Sequence, residues 1–201
     1  IWPVFIVALG LEIVFRGQSL SGSLIGILIS VLVVGALLWF ALNSSLMGQG
    51  ATHPVDYELQ GAESAHIQLN SSIGNLNLAG LSQKQQLISG AIMLAKDEKL
   101  LEKYEVQEKV GQLTLESDGV VIFPFRSNGT GLLWDLKINN NLPVQLVIEQ
   151  GIGQQRINLA GINLDSFEIQ LGIGSMEVVL PEEDVFEGKI ECDIGELVVI
   201  L

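Results

Sequence analysis

The chain has 201 residues, 48% of them hydrophobic, and its 23 acidic and 10 basic side chains give a formal net charge of −13 at pH 7. This charge argues against a broad binding surface for nucleic acid or anionic lipid, because both ligands require a positive field. The single cysteine, Cys192, excludes an internal disulfide and a cysteine-based zinc site, and its alternating apolar neighbours indicate a small buried side chain.

The first predicted elements are two membrane helices. Residues 24–42, LIGILISVLVVGALLWFAL, carry no charge and would rise about 28 Å as a helix, close to the thickness of the bilayer hydrocarbon. A buried soluble helix is the alternative, but such helices usually carry a polar stripe. The apolar residues 1–15 come before a polar Gly/Ser-rich turn. We therefore expect residues 1–42 to form a transmembrane helical hairpin in the lipid bilayer, and we expect further chain upstream because the sequence begins without Met.

Small residues and one basic residue mark this hairpin. Gly22, Gly26 and Ser30 lie four residues apart, a spacing that allows two membrane helices to pack closely, although glycine is also simply common in such helices. Arg16 lies in the short turn, and the next basic residue is Lys84. Short loops that hold Lys or Arg tend to stay cytoplasmic. We therefore expect the rest of the chain to be extracytoplasmic; a cytoplasmic domain is the competing interpretation.

The C-terminal third contains a 21-residue repeat. The stretches LVIEQGIGQQRINL, FEIQLGIGSMEVVL and KIECDIGELVVIL share five positions without a gap, and the first matched position is Ile148, Ile169 and Ile190. Apolar residues alternate with polar ones on both sides of the shared glycine, which indicates strands. A fixed period near 20 is typical of a stacked solenoid. Each coil is expected to hold about three short strands and three corners.

The shared glycine is expected to form a corner or bulge at positive φ. A phosphate-binding loop is the alternative, but its glycines open a helix once in a βαβ unit, whereas here the glycine leads into a strand and recurs. Two earlier stretches, IQLNSSIGNLNL and YEVQEKVGQLTL, fit the repeat more loosely. The predicted corner residues are Gly74, Gly111, Gly153, Gly174 and Gly195.

These observations predict an all-β, solenoid-like domain of the β-helix or β-roll type over residues 63–201, joined to the hairpin by a linker at residues 43–62. The unit before Gly153 carries an irregular insertion, FRSNGTGLLWD. Residues 82–109 fit either an amphipathic helix or two strands joined by a charged turn. Strands are preferred, because the segment runs directly into a repeat-like stretch.

The sequence contains no recognisable catalytic or metal-binding pattern. His53 and His66 have no Cys or acidic pair at metal-ligand spacing, and there is no Gly-x-Ser-x-Gly elbow. Glu182, Glu183 and Asp184 are interpreted as a solvated corner. We therefore expect no enzyme activity, no cofactor and no metal.

Several segments resemble the LiaF-like family of cell-envelope stress proteins. WPVFIVALGLEIVFRG is similar to the Trp-Pro-containing membrane segment of that family, and AHIQLNSSIGNLNLAGL, LISGAIML and the serial GIG…VVL coils are similar to its "toast-rack" β domain. The resemblance implies membrane-anchored regulation of envelope-stress signalling through a partner sensor kinase, without catalytic residues. The alternatives are a scaffold that forms homo-oligomers through its solenoid ends, and an envelope-glycan-binding module with Trp134 as its candidate aromatic residue.

Overall fold

The fold is taken from a computed structural model, which describes residues 51–95, 98–118, 132–182 and 185–201, together with Gly35. Residues Gln49–Leu201 form a compact unit of their own. Apart from Gly35, the predicted hairpin lies outside the described residues, and so do Gly22, Gly26 and Ser30. Within the described ranges, no helix is long and apolar enough to cross a membrane.

The described part of the β domain consists of strands joined into one nine-stranded sheet. The strands are β1 Thr52–Glu58, β2 Ser64–Leu81, β3 Gln86–Met93, β4 Lys99–Gln107, β5 Val110–Asp118, β6 Leu133–Asn139, β7 Val144–Asn158, β8 Leu164–Val179 and β9 Glu187–Ile200. Along the sheet their order is β1-β3-β6-β2-β7-β8-β9, and β5 pairs with β2 and β4. The all-β, solenoid-like domain predicted from the repeat is therefore present as a stack of strands in one sheet.

Strands β2, β7, β8 and β9 are long and lie parallel to one another. On its other side, β2 pairs in parallel with β5 along its first half and with β6 along its second half. Strands β5 and β6 together therefore occupy the place of one coil. We call β5 and β6 together the split coil. Beyond it the sheet continues with antiparallel strands: β4 pairs with β5, β3 pairs with β6, and β1 pairs with β3.

Each long strand must fold back on itself. Strand β7 has 15 residues and would span about 50 Å if straight, whereas the residues between β7 and β8 reach at most about 18 Å. The bend lies at Gly153, where the pairing passes from Gln150–Leu171 directly to Ile152–Ile173. Each coil is therefore one bent strand with two arms and a short closing loop. The expectation of three short strands per coil is wrong.

The hydrophobic core lies between the two arms, and it is built from rows of side chains that run from coil to coil. The first-arm row joins Leu69, Ile148, Ile169 and Ile190, and the second-arm row joins Leu78, Ile157, Val178 and Val199. In the three inner coils these side chains are at most 2% exposed. The predicted alignment of Ile148, Ile169 and Ile190 in one interior row is therefore confirmed.

Two boundaries differ from the sequence-based prediction. Residues 52–58, assigned to the linker, form β1, because Val55 is buried against the core and the edge position tolerates Pro54. The end of the predicted insertion belongs to β6, where Trp134 is 2% exposed. Residues 82–109 contain strands β3 and β4, as preferred from the sequence.

Candidate functional site

The bend of each long strand is made by a glycine with positive φ. Gly74, Gly153, Gly174 and Gly195 have φ values of 148°, 155°, 150° and 144°, and they are paired in register from strand to strand. A Cβ built on Gly174 would lie 1.7 Å from the carbonyl oxygen of Gly153. Successive coils therefore touch through their main chains at this point, which leaves no room for a side chain.

Gly111 does not belong to this row. It lies at the start of β5, pairs with Ala65 rather than with Gly74, and is not among the positive-φ glycines of the described chain. The interior residue Leu115 of β5 is in register with Leu69. The sequence-based alignment of Gly111 with the corner glycines is therefore wrong. The number of residues between Gly111 and Gly153 matches whole repeats only by coincidence.

The bend also changes which residues face the core. In β8, Leu171 points inward before the bend and Met176 after it, so Ile173 between them faces outward and is 46% exposed. The residues at the same position in β7 and β9, Ile152 and Ile194, are 45% and 64% exposed. These isoleucines pair in register with each other and with Ile73. They form an apolar ridge along the outside of the bend.

On the first arm, just before the bend, acidic and amide side chains alternate across five strands. We name this row the acid–amide ladder: Glu116 of β5, Asn70 of β2, Glu149 of β7, Gln170 of β8 and Glu191 of β9, each in register with the next. Because an amide separates each pair of carboxylates, like charges do not lie directly opposite one another, an arrangement that would be destabilising. Gln170 Nε2 donates to Glu191 Oε2 at 3.2 Å.

The ladder lines a groove of about 420 Å³. The next row along the strands, also part of its lining, is Ser72, Gly151, Gly172 and Asp193. A Cβ on Gly172 would lie 2.7 Å from the carbonyl oxygen of Gly151, so the middle of the groove is lined by main chain. This polar groove crosses the stack of coils and is open to solvent.

Two side chains near the polar groove, Asn70 in the ladder and Gln150 at an inward position, carry buried oxygens without a hydrogen-bond partner in the described part of the chain. Gln150 is 5% exposed, and its Nε2 donates to the carbonyl oxygen of Gly74 at 2.7 Å. Its Oε1 has no partner among the described residues, and the same is true of Asn70 Oδ1. Since buried polar atoms are normally hydrogen-bonded, Asn70 leaves one acceptor of the acid–amide ladder unused, whereas Gln150 is in register with the inward Leu171.

The charge of the groove is negative but is balanced at one end. Lys189 Nζ lies 3.0 Å from Glu191 Oε2 and 3.1 Å from Glu168 Oε1. These hydrogen bonds, first that to Glu191 and then that to Glu168, raise the pKa of Lys189 above its ordinary value. A cationic group entering the groove would therefore meet less attraction at Glu191 than at Glu149 in the centre.

Strand β9 leaves one end of the stack uncovered. Leu197 and Val199 are 41% and 43% exposed, whereas Met176 and Val178, at the same positions one coil earlier, are 1% and 0% exposed. The difference arises because β9 covers β8, while no strand of the described chain pairs with the outer edge of β9. In the described chain, these side chains therefore have no further strand to cover them.

A polar cluster ties β1 to β4 at the other end. Tyr57 donates a hydrogen bond to Glu102, which also lies 2.6 Å from His53 Nε2, and the rings of Tyr57 and Tyr104 are 5.4 Å apart. Burial, and then the interaction with Glu102, raise the pKa of Tyr57 to about 12. The sequence around His53 holds no signal for this contact, because its partner Glu102 lies 49 positions away. Within the described residues, no group of three or more His, Cys, Asp or Glu side chains could hold a metal ion.

Comparison with known proteins agrees with this architecture. Residues 47–200 match the family Toast_rack_N, the N-terminal domain of toast_rack (DUF2154). The chain belongs to this family. No curated protein sequence matches the chain.

Two crystal structures also resemble this Toast_rack_N chain. A candidate cell adhesion protein from Clostridium sporogenes superposes with a TM-score of 0.62 at 19% identity, covering 75% of this chain and 99% of that protein. A candidate adhesin from Bacteroides fragilis covers 75% and 97% at 11% identity, but its TM-score of 0.23 is too low to support a comparison. The first similarity shows a shared fold alone.

Proposed function

We propose that this chain is a non-catalytic interaction protein of the bacterial cell envelope, anchored by its N-terminal hairpin. The polar groove is the observation that carries the proposal. It is built from outward side chains on five successive strands, so its shape is held by the core rows beneath it and needs no mobile loop. A rigid, solvent-facing surface of this kind is suited to recognising another macromolecule.

The finer form of the proposal is a LiaF-like regulator of envelope-stress signalling whose partner is a membrane sensor kinase. It is supported by membership of the Toast_rack_N family and by the similarity of residues 2–17 to the Trp-Pro-containing membrane segment. A role in adhesion, the description given to the Clostridium sporogenes protein, would use the same outward surface. The two roles differ in whether the partner lies in the same membrane.

Affinity purification from native membranes tests the proposal. The wild-type chain is compared with Glu149→Lys, which reverses the charge at the centre of the groove, and with Glu177→Lys, which makes the same change on an exposed residue that does not line it. We expect a sensor kinase to be retained by the wild type and by Glu177→Lys, and to be lost with Glu149→Lys. A kinase retained equally by all three chains would contradict a role for the groove.

The proposal places the β domain outside the cytoplasmic membrane, on the basis of Arg16 in the short turn. Thiol labelling tests this placement. Ser82 lies in the exposed connection between β2 and β3, so a Ser82→Cys, Cys192→Ala chain should react with a membrane-impermeant maleimide in intact cells. Reaction only after lysis would place the domain in the cytoplasm.

A self-assembling scaffold is the second candidate function, and the exposed edge of β9 favours it. Two copies that met through β9 would each cover Leu197 and Val199, as β9 covers the matching residues of β8. Sedimentation of the chain in a neutral detergent should then show a concentration-dependent dimer, which Val199→Lys abolishes. A monomer at all concentrations would exclude assembly through this edge. The glycan-binding alternative loses its candidate aromatic residue, because Trp134 is buried.

A further inference from the structure

We infer that two copies of this chain pair edge to edge through β9 in a closed two-fold dimer, in which Ile190 and Val199 of each copy lie opposite the same residues of the other copy. This dimer gives the second candidate function a definite geometry, and it rests on that proposal. It is supported by the difference between the two ends of the stack, by the apolar residues of β9 and by the charges beside Ile190.

The two ends of the stack are built differently. At one end the edge is divided between two short strands, β1, which contains Pro54, and β4, which carries Lys99 and Lys103. Proline and lysine are residues that protect an exposed edge from pairing. Strand β9 at the other end has 14 residues, no proline, and Lys189 as its single lysine. Within the described chain, the β9 end is therefore the one open to a further strand.

The second arm of β9 is apolar on both of its faces. Leu197, Val198, Val199 and Ile200 follow one another, and each is between 41% and 43% exposed. At the position of Val198, the inner strand β8 has the charged residue Glu177. A strand that is buried on both faces has such a continuous apolar run, whereas a strand with one solvated face alternates. The sequence of this arm therefore fits a strand inside a sheet better than a strand at its edge.

One two-fold axis can serve both arms of β9. Counted from the bend, Cys192 and Leu197 are the first inward residues on either side, and Ile190 and Val199 are the second, as the register with β8 shows. Ile190 and Val199 therefore lie at similar distances from the bend, one on each arm. A two-fold axis that crosses both arms at these residues makes each arm pair antiparallel with the same arm of the other copy.

The side chains beside the axis favour this register. Lys189 of each copy would lie opposite Glu191 of the other, whereas the neighbouring two-fold registers would place Lys189 opposite Lys189 or Glu191 opposite Glu191. Like charges directly opposite one another are destabilising. Since Lys189 already pairs with Glu191 of its own chain, this row selects the register and adds little affinity. On the second arm, Val198 would lie opposite Ile200 of the other copy, which is a favourable apolar pair.

The protected end of the stack makes this assembly finite. Pairing of β9 with β9 uses the same surface of both copies, so it stops at two copies. A head-to-tail stack would instead require the protected edge of β1 and β4 to accept β9. The paired edges are short, which places the contact at the small end of protein–protein interfaces. We therefore expect a reversible dimer.

Cysteine cross-linking tests the register on the 201-residue chain in a neutral detergent and a Cys192→Ala background. Directly opposite residues of an antiparallel pair have Cα atoms about 4.5–5.5 Å apart, and disulfides need about 4.4–6.8 Å. We expect mild oxidation to link Val199→Cys into a dimer. The control Ile194→Cys is more exposed, at 64%, but lies far from the axis, so Val199→Cys should give at least about fivefold more linked dimer.

A mixture of two variants tests the neighbouring pair. Chains with Val198→Cys and chains with Ile200→Cys carry tags of different size, so that mixed and like dimers separate on a non-reducing gel. We expect the mixed disulfide to form in preference to either like dimer. The reason is that Val198 lies opposite Ile200 of the other copy, whereas like residues are diagonal neighbours about 7–8 Å apart, too far for a disulfide.

Equal linking of Val199→Cys and Ile194→Cys, or no preference for the mixed disulfide, would overturn the two-fold dimer. Sedimentation of species larger than a dimer would also overturn it, and so would a Val199→Cys chain that is linked to another protein, and not to itself, in native membranes. A dimer that Val199→Lys abolishes but that shows none of these cross-links would leave self-assembly through β9 standing and remove only the two-fold register. A monomer at all concentrations would remove both.

Discussion

Replacing Gly174 by alanine should destabilise the β domain far more than an ordinary surface change. The new Cβ would lie 1.7 Å from the carbonyl oxygen of Gly153, whereas Cβ atoms in proteins essentially never come within 3.0 Å of a neighbouring heavy atom. Strands β7 and β8 would have to separate by more than about 1 Å there, which costs one or two hydrogen bonds of about 1 kcal/mol each. The positive φ of 150° adds about 1–3 kcal/mol, because that region is nearly restricted to glycine. The expected loss is about 2–5 kcal/mol.

Two other glycines separate the causes of this loss. Gly161 has φ of 73° but nothing within 4 Å of its Cβ position, so Gly161→Ala carries backbone strain alone and should cost about 1 kcal/mol. Gly172 has no positive φ, but its Cβ would lie 2.7 Å from a carbonyl oxygen. Asp193 already occupies the equivalent position in β9. We therefore expect Gly172→Asp to be tolerated much better than Gly174→Ala.

Urea unfolding followed by the fluorescence of Trp134 measures these differences, in a chain where Trp2 and Trp39 are replaced by Phe. Trp134 is buried in β6, so its emission should report the folding of the β domain alone. An unchanged dependence of unfolding free energy on urea would show that stability, and not the extent of unfolding, has changed. A Gly174→Ala chain no less stable than Gly161→Ala would refute the main-chain contact between coils.

Three further predictions concern the core and the polar clusters. Ile169→Asp, at a position that is 0% exposed, should cost several kcal/mol in urea unfolding, whereas Ile190→Asp in the half-buried end coil should cost clearly less; equal losses would contradict the stack. Asn139→Ala should lower stability by about 1–3 kcal/mol, because its buried Nδ2 donates to two carbonyl oxygens; an unchanged urea midpoint would contradict this. The pKa of Tyr57 is raised from 10.0 to about 12, so the contribution of this phenol to stability is fully present below pH 10 and is lost as pH rises toward 12. The variant Tyr57→Phe should therefore lose less stability at alkaline pH than the wild type. An unaltered pH profile of stability would show that the phenol does not titrate in that range.

The repeat was readable from sequence because every internal coil obeys the same two constraints. The matched isoleucines must fill one interior row, and Gly153 and Gly174 must leave space for the next main chain. Both constraints act at a fixed position in the coil and therefore recur every 21 residues. The number of arms was not readable, because a period gives the length of a coil and not where it bends.

The split coil and the candidate site escaped prediction for a different reason. Strands β5 and β6 pair with β2, which precedes both in the chain, so their place in the stack is set by a long-range contact with no local signal. The acid–amide ladder likewise joins residues from Asn70 to Glu191. The alternation of the repeat is compatible with outward side chains at Gln170 and Glu191, but only the parallel register shows that they belong to one row.

The bend joins the structural and the binding roles of the coil. At Gly174 the inward phase of β8 changes, which keeps Leu171 and Met176 in the core and turns Ile173 outward. The acid–amide ladder and the isoleucine ridge run across the strands as two outward rows next to this bend. Each added coil therefore adds one residue to each outward row without altering the core. Substitutions in these rows should change binding with little effect on folding, whereas the glycines between them should do the reverse.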